Sequence, residues 1–417
     1  MSIQSSANAS RIEQLQVHLK HERYSPSIQR LYQSLAQYFF DYLESKTLAV
    51  EAVRETALED FFRWELRRFR KRNGRAPCHL IQWRWRYSSV VHLVLRMVHG
   101  HWPVAAEPAT ALETFHRDLV RGYDTWMQEL RGLADETRLT RTTEALRFLI
   151  ALGQRGNQED LKQLNVHDID AYIQKRSAGL RRASIESVTV CLRSFLRYLH
   201  GSRRTAFDLS SVVIGPRIYE GEQIPSALRP EEVRKILDIT CQDLSPTGRR
   251  DHAFLMLLAT FGLRAREIVS LRLEDLDWKK EVLRVQHSKT GTYSELPLLR
   301  EPGEAVLKYL QKARPQSSHR EVFLHVNAPY CAYKGGSILN CVIGARLRAA
   351  GIVPQGRKGP HALRHARAAT LLRAGVSLKT IGDVLGHRSE NSTAVYLKLG
   401  TEDLRAVGMD LPNGVSP

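Results

Sequence analysis

The chain has 417 residues, 43% of them hydrophobic, and 62 basic against 44 acidic side chains give it a formal net charge of +18. That length suits two or three domains with buried cores and excludes wholesale disorder, while the basic excess favours a polyanionic partner, DNA or RNA. Five dispersed cysteines without a CxxC pair exclude a disulfide framework and offer no zinc site, so no metal is expected.

In chain order, the polar N-terminus (MSIQSSANASRIEQLQ) lacks the apolar core of a signal peptide. From Glu22 to about Pro103 the pattern is helical. One helix is expected to start at Ser25 with Pro26 in its first turn, burying Leu31, Leu35, Phe39 and Leu43 on one stripe. A second helix, LEDFFRWELRRFRKR, should stop at Asn73-Gly74, and a third runs from about Ser88 to Val98. Leu112 to His200 repeats this plan, with SVTVCLRSFLRYLHG echoing SSVVHLVLRMVHG. A polar connector, GPRIYEGEQIPSALRP, follows. The longest apolar stretch, Ala253 to Leu263, falls short of the ~20 residues that span a bilayer and reads as a buried helix. A strand, a Lys-Thr-Gly turn and a second strand in EVLRVQHSKTGTYSELPLL signal a hairpin. The fold class is therefore mainly α with a small β-hairpin or sheet in the last third, preceded by helical bundles.

Four clusters in that last third carry chemistry: Arg264 between two helices, Lys289 at the hairpin tip, His361 and Arg364 on one helical face, and His387 nine residues before Tyr396. Singly, each is ordinary surface or core chemistry. Together they supply what metal-free transfer at a phosphodiester requires. Guanidinium forks at Arg264 and Arg364 suit the charge that builds on non-bridging oxygens. A phenol such as Tyr396 has a reference pKa of about 10, and needs a positive site and a proton acceptor, for which His361 is a candidate. Lys289 is placed to protonate the departing 5′-oxygen.

The last third resembles the catalytic domain of the tyrosine recombinases, the phage integrase, Xer and Cre family. The matching boxes are Gly262-Leu263-Arg264-Ala265-Arg266-Glu267, Lys289 in its hairpin, His361-Ala362-Leu363-Arg364-His365, and Leu385-Gly386-His387 followed by Tyr396. The resemblance implies that Arg264, Lys289, His361, Arg364 and His387 surround the scissile phosphate. Tyr396 is then the nucleophile, giving a 3′-phosphotyrosyl link and a free 5′-hydroxyl, with Glu267 as a supporting acid. It further implies a core-binding, SAM-like helical domain over 112–205, a linker over 206–226, a catalytic domain over 227–410 and a tail over 411–417. Residues 1–105 depart from the common two-domain plan and are expected to form a helical domain for DNA binding or assembly.

The stretch from Arg63 to Arg86 interleaves basic residues with aromatics, so Arg63, Arg67, Arg68, Arg70, Lys71, Arg72, Arg84 and Arg86 are candidate DNA contacts. The expected function is site-specific recombination or integration of a mobile element, without metal, ATP or other cofactor, since no P-loop motif occurs. The expected partner is double-stranded DNA bearing inverted-repeat sites, held by a homotetramer with a dimer on each site. Sister recombinases are further candidate partners. No membrane is involved and a bacterial cytoplasmic location is expected. Two alternatives use the same residues: relaxation of one duplex in the manner of a type IB topoisomerase, and a DNA-binding accessory protein without catalysis.

Overall fold

The computed structural model describes residues 3–103, 108–217, 227–287, 291–354, 356, 358–386 and 393. The chain packs as two compact units, one of Met1–Pro103 with Gln223–Pro417, the other of Val104–Glu222. As expected from the sequence, the protein is mainly helical with one small antiparallel sheet.

The N-terminal bundle of the first unit contains α1 (Ile3–His21), α2 (Pro26–Ser45), α3 (Glu55–Asn73) and α4 (Leu80–His99). Pro26 opens α2, where its fixed φ suits the first helical position. Gly74 closes α3 in the left-handed conformation that a Cβ disfavours. Leu35, Phe39 and Leu43 are buried, but Leu31 is 38% exposed, so the expected stripe is one turn shorter. Phe39 meets Phe61 edge-on at 5.2 Å, and Tyr42, Trp83 and Tyr87 extend an aromatic core. The third expected helix is corrected at its start. It begins at Leu80, not Ser88, because Trp83 and Tyr87 project into that core from its first turns.

The second unit holds α5 (Ala111–Glu129), α6 (Asp135–Leu152), α7 (Val166–Ser177) and α8 (Arg182–Gly201). Thr110 caps α5 by accepting from the Glu113 backbone, and Asn165 and Asp168 close a reciprocal capping box on α7. Its core gathers Tyr123, Phe148, Phe195 and Leu199. Within each bundle the second helix contacts the other three.

The C-terminal part of the first unit starts with α9 (Pro230–Gln242) and α10 (Pro246–Phe261), then the short α11 (Ala265–Val269). The sheet has the order β1-β2-β3, from Leu276–Asp277, Val282–Gln286 and Tyr293–Pro297. β2 and β3 form the expected hairpin, with Val285 opposite Ser294. Leu283 and Val285 point into the core, while Arg284 pairs across the strands with Glu295 at 3.0 Å, the inward–outward alternation of a one-sided sheet. Helices α12 (Arg300–Lys312), α13 (Ser337–Ala349), α14 (Pro360–Arg373) and α15 (Leu378–Leu385) follow. α10 is the hub. Phe254, Leu255, Leu257 and Leu258 are fully buried, and α9, α12 and α14 pack around them. Asp251 on α10 is buried yet compensated, since Arg250 and Arg346 both donate to its carboxylate.

Candidate active site

Two glycines shape the site. Gly262 ends α10 with φ of +65°, and a Cβ there would stand 2.6 Å from a Leu385 methyl. Gly386 ends α15 with φ of +64°, and a Cβ there would run into the His287 ring. Both positions thus require a residue that tolerates left-handed backbone and occupies no side-chain volume. The close approach brings the end of α10 against the end of α15, although the two are more than a hundred residues apart in sequence.

The two box arginines are fixed by that junction. Arg364, on α14 and buried, donates from Nη1 to the Gly262 carbonyl at 2.7 Å and from Nη2 to the Leu385 carbonyl at 2.6 Å. Carbonyls at helix C-termini lack partners within the helix and carry the negative end of the dipole, so a guanidinium is well suited to them. Arg264 precedes α11. Its Nη2 donates to the Gly386 carbonyl at 3.0 Å and its Nη1 to Glu267 Oε1 at 2.7 Å. Glu267 is buried and its Oε2 accepts from the Arg264 backbone at 2.8 Å. Burial alone pushes this carboxyl up, but hydrogen bonds from His287 and from the Arg264 backbone and guanidinium hold it below the usual carboxylate range. It is therefore ionised at neutral pH. The stability this contributes is present above the unfolded carboxyl pKa and is lost as pH falls through the depressed folded value.

His361 lies on α14 three residues before Arg364 and is exposed, with its ring 6.2 Å from that of His365. Lys289, His387 and Tyr396 lie outside the described residues. Arg264, Glu267 and Arg364 are thus brought onto one junction.

His287 belongs to the same cluster and is not among the residues expected from the sequence. Its Nδ1 is 3.1 Å from Glu267 Oε1 and its Nε2 is 2.8 Å from Ser294 Oγ. An ionised carboxylate only accepts, so Nδ1 carries a proton. The signal that points to it is parity. In the segment VLRVQH, which continues one residue past β2, the parity of 283, 285 and 287 places a histidine on the buried side of the sheet.

The basic-aromatic stretch divides into two sets. Arg63 pairs with Asp60 and Arg68 with Asp41, Arg72 pairs with the buried Glu65 at 2.6 Å, and Arg84 pairs with Glu59. Arg68 also lies 4.5 Å from the Trp64 ring centre, Arg72 4.3 Å from that of Tyr38 and Arg84 4.7 Å from that of Phe62. Arg67, Arg70, Lys71 and Arg86 are exposed and make no ion pair among the described residues. Of the aromatics, Trp83 is in the core and Trp85 is 75% exposed.

Comparison with known proteins places the chain in a family. Residues 226–402 match the phage integrase family. The protein y4gC of Sinorhizobium fredii, named as an integrase/recombinase, is 51% identical over 189 residues, 45% of this chain and 97% of its own. The tyrosine recombinase XerC of Pelotomaculum thermopropionicum is 33% identical over 248 residues, covering 57% and 76% of the two chains. Among solved structures, the XerH site-specific recombinase on a palindromic difH substrate aligns with a TM-score of 0.55 at 15% identity, over 71% of this chain and 87% of that one. A lambda integrase tetramer bound to a Holliday junction aligns at 0.53 and 17% identity, over 74% and 85%. The described helices contain none long and apolar enough to cross a membrane. With its arginine boxes folded onto one junction and its sequence aligned to these relatives, the chain belongs to the phage integrase family of tyrosine recombinases, enzymes that cleave and rejoin DNA in site-specific recombination.

Proposed function

We propose that Tyr396 attacks the scissile phosphate, with Arg264 and Arg364 binding its non-bridging oxygens. The tyrosine oxygen bonds to phosphorus as the bond to the 5′-oxygen breaks, leaving a 3′-phosphotyrosyl link and a 5′-hydroxyl. His361 accepts the phenolic proton, Lys289 donates one to the departing oxygen, and His387 adds a further donor to the phosphate. Glu267 orients Arg264 and does not touch the substrate. Rejoining is the reverse, with the 5′-hydroxyl of the partner strand as nucleophile, so bond energy is conserved without ATP or metal. The observation that carries this reading is the convergence of Arg264 and Arg364 on carbonyls at 262, 385 and 386, which orients both guanidinium groups before DNA arrives.

The partner in this reading is duplex DNA with inverted-repeat sites from a mobile element, held by a tetramer with two protomers per site. The lambda integrase neighbour, a tetramer on a Holliday junction, supports that assembly. Residues 112–205 serve as the core-binding domain, 206–226 as the linker, 227–410 as the catalytic domain and 411–417 as the tail. Residues 1–105 add a DNA-contacting bundle. The test is product analysis with two plasmids carrying the ends of the element. Exchanged flanks support recombination, whereas relaxed circles with parental flanks would point to topoisomerase action.

The proton donor can be isolated chemically. Lys289→Ala should cleave a normal site slowly but a 5′-phosphorothiolate site almost as fast as the parent, because a sulfur leaving group needs little protonation. Equal defects on both substrates would make Lys289 a DNA-positioning group.

The N-terminal bundle is tested by salt dependence. Replacing Arg67, Arg70, Lys71 and Arg86 with Ala should flatten the log–log slope of binding against salt by about 0.9 for each phosphate no longer neutralised. Arg72→Ala should act differently, lowering the melting temperature because Glu65 is left buried without its cation. An unchanged slope in the fourfold variant would leave assembly as the role of this bundle.

A further inference from the structure

His287 stands at a crossing of three elements. Its backbone N–H donates to the Thr292 carbonyl at 2.8 Å, and its own carbonyl accepts from Gly291 N–H at 2.8 Å, closing the base of the β2–β3 hairpin. Its ring reaches the other way. Nδ1 bonds Glu267 on α11, Nε2 bonds Ser294 on β3, and the ring face lies against the backbone of Gly386 after α15. The side chain is 2% exposed, and a ring that far from water is tolerated because both nitrogens have partners. Glu267 Oε1 is shared by His287 and Arg264, so the imidazole and the guanidinium grip one carboxylate oxygen from two sides.

We propose that His287 is a positioning residue for strand cleavage: it locks the Glu267 carboxylate against Arg264 and fastens the base of the hairpin to that arginine. This rests on the role given to Arg264 above. Without the imidazole, Glu267 keeps only its Arg264 donors and gains free space beside Gly386. The carboxylate and the guanidinium it holds are then free to turn together. A displacement of about 1 Å in a group that binds the reacting centre can cost ~100-fold in rate.

The roles of the two nitrogens separate by substitution. His287→Asn places an amide N–H near the Nδ1 position and keeps a donor to Glu267. His287→Gln places its amide near Nε2 and keeps the bond to Ser294, and His287→Ala keeps neither. Single-turnover cleavage of a nicked suicide site by the full chain should be near the parent rate for Asn and ~10- to 100-fold slower for Gln and Ala. DNA affinity and melting temperature should be alike for Asn and Gln. Rates that follow melting temperature, equal rates for Asn and Gln, or parental cleavage by Ala would each overturn the proposal. Arg264→Lys run alongside separates the two roles. If it cleaves normally, the role of Arg264 falls. If it is defective while the His287 variants cleave normally, only the role of His287 falls.

Discussion

A Tyr396→Phe variant should form no SDS-resistant adduct with a nicked suicide site, while binding that site with nearly parental affinity. The substitution removes one oxygen and leaves the ring, so the side-chain shape is conserved and only the proposed nucleophile is removed. The defect should be complete, because no attacking group replaces the phenol at the phosphorus and a water molecule would give a nick without covalent linkage. The measurement is a denaturing gel of labelled DNA after incubation with each protein, with a filter-binding titration in parallel. An adduct that persists in the phenylalanine variant would reassign the nucleophile.

Replacing either arginine should slow cleavage nearly as severely. Each guanidinium is held by acceptors of the folded chain, so in the proposed mechanism it meets the developing charge without reorganising, and removing one such donor costs ~3–4 kcal/mol in the transition state, or roughly 10²- to 10³-fold. Arg364→Ala carries a second effect, since the carbonyls of Gly262 and Leu385 are each left without that hydrogen bond. The cleaner comparison is Arg264→Lys and Arg364→Lys, which keep the charge but not the planar fork. Single-turnover cleavage should remain strongly reduced in both, at DNA concentrations that saturate binding. Near-parental cleavage by Arg264→Lys would remove the bidentate role assigned to it.

The family is legible in the sequence because the chemistry of its boxes is rare in combination and survives as short words in the chain. Helix starts at Pro26 and helix stops at Gly74 are legible because proline and glycine act locally. What stays hidden depends on distant partners. Helix α1 is obscure because polar residues interrupt its few apolar ones, and only the packed bundle shows Leu15 and Leu19 fully buried. Residues 80–87 look like a basic-aromatic surface segment, yet Trp83 and Tyr87 enter the core at helical spacing while Trp85 points outward. Strand β1 is two residues long and exists only through its pairing with β2. His287 escapes notice in the sequence because Lys289 beyond it carries the hairpin's motif, and its partner Glu267 lies in a different box. The tight surroundings of Gly262 and Gly386 explain why both boxes contain glycine, a reason no single box reveals.

The wiring of the arginines also bears on when a strand-cutting protein becomes dangerous. Arg264 reaches across 122 positions of chain to Gly386, and Arg364 reaches to Leu385. A nascent chain that has not yet extruded those residues lacks one anchor for each guanidinium, and Tyr396 follows later still. In the proposed mechanism the two arginines are therefore fully anchored only late in synthesis. Fragments from interrupted translation that end before residue 385 lack the Leu385 and Gly386 anchors and, with Tyr396, the proposed nucleophile.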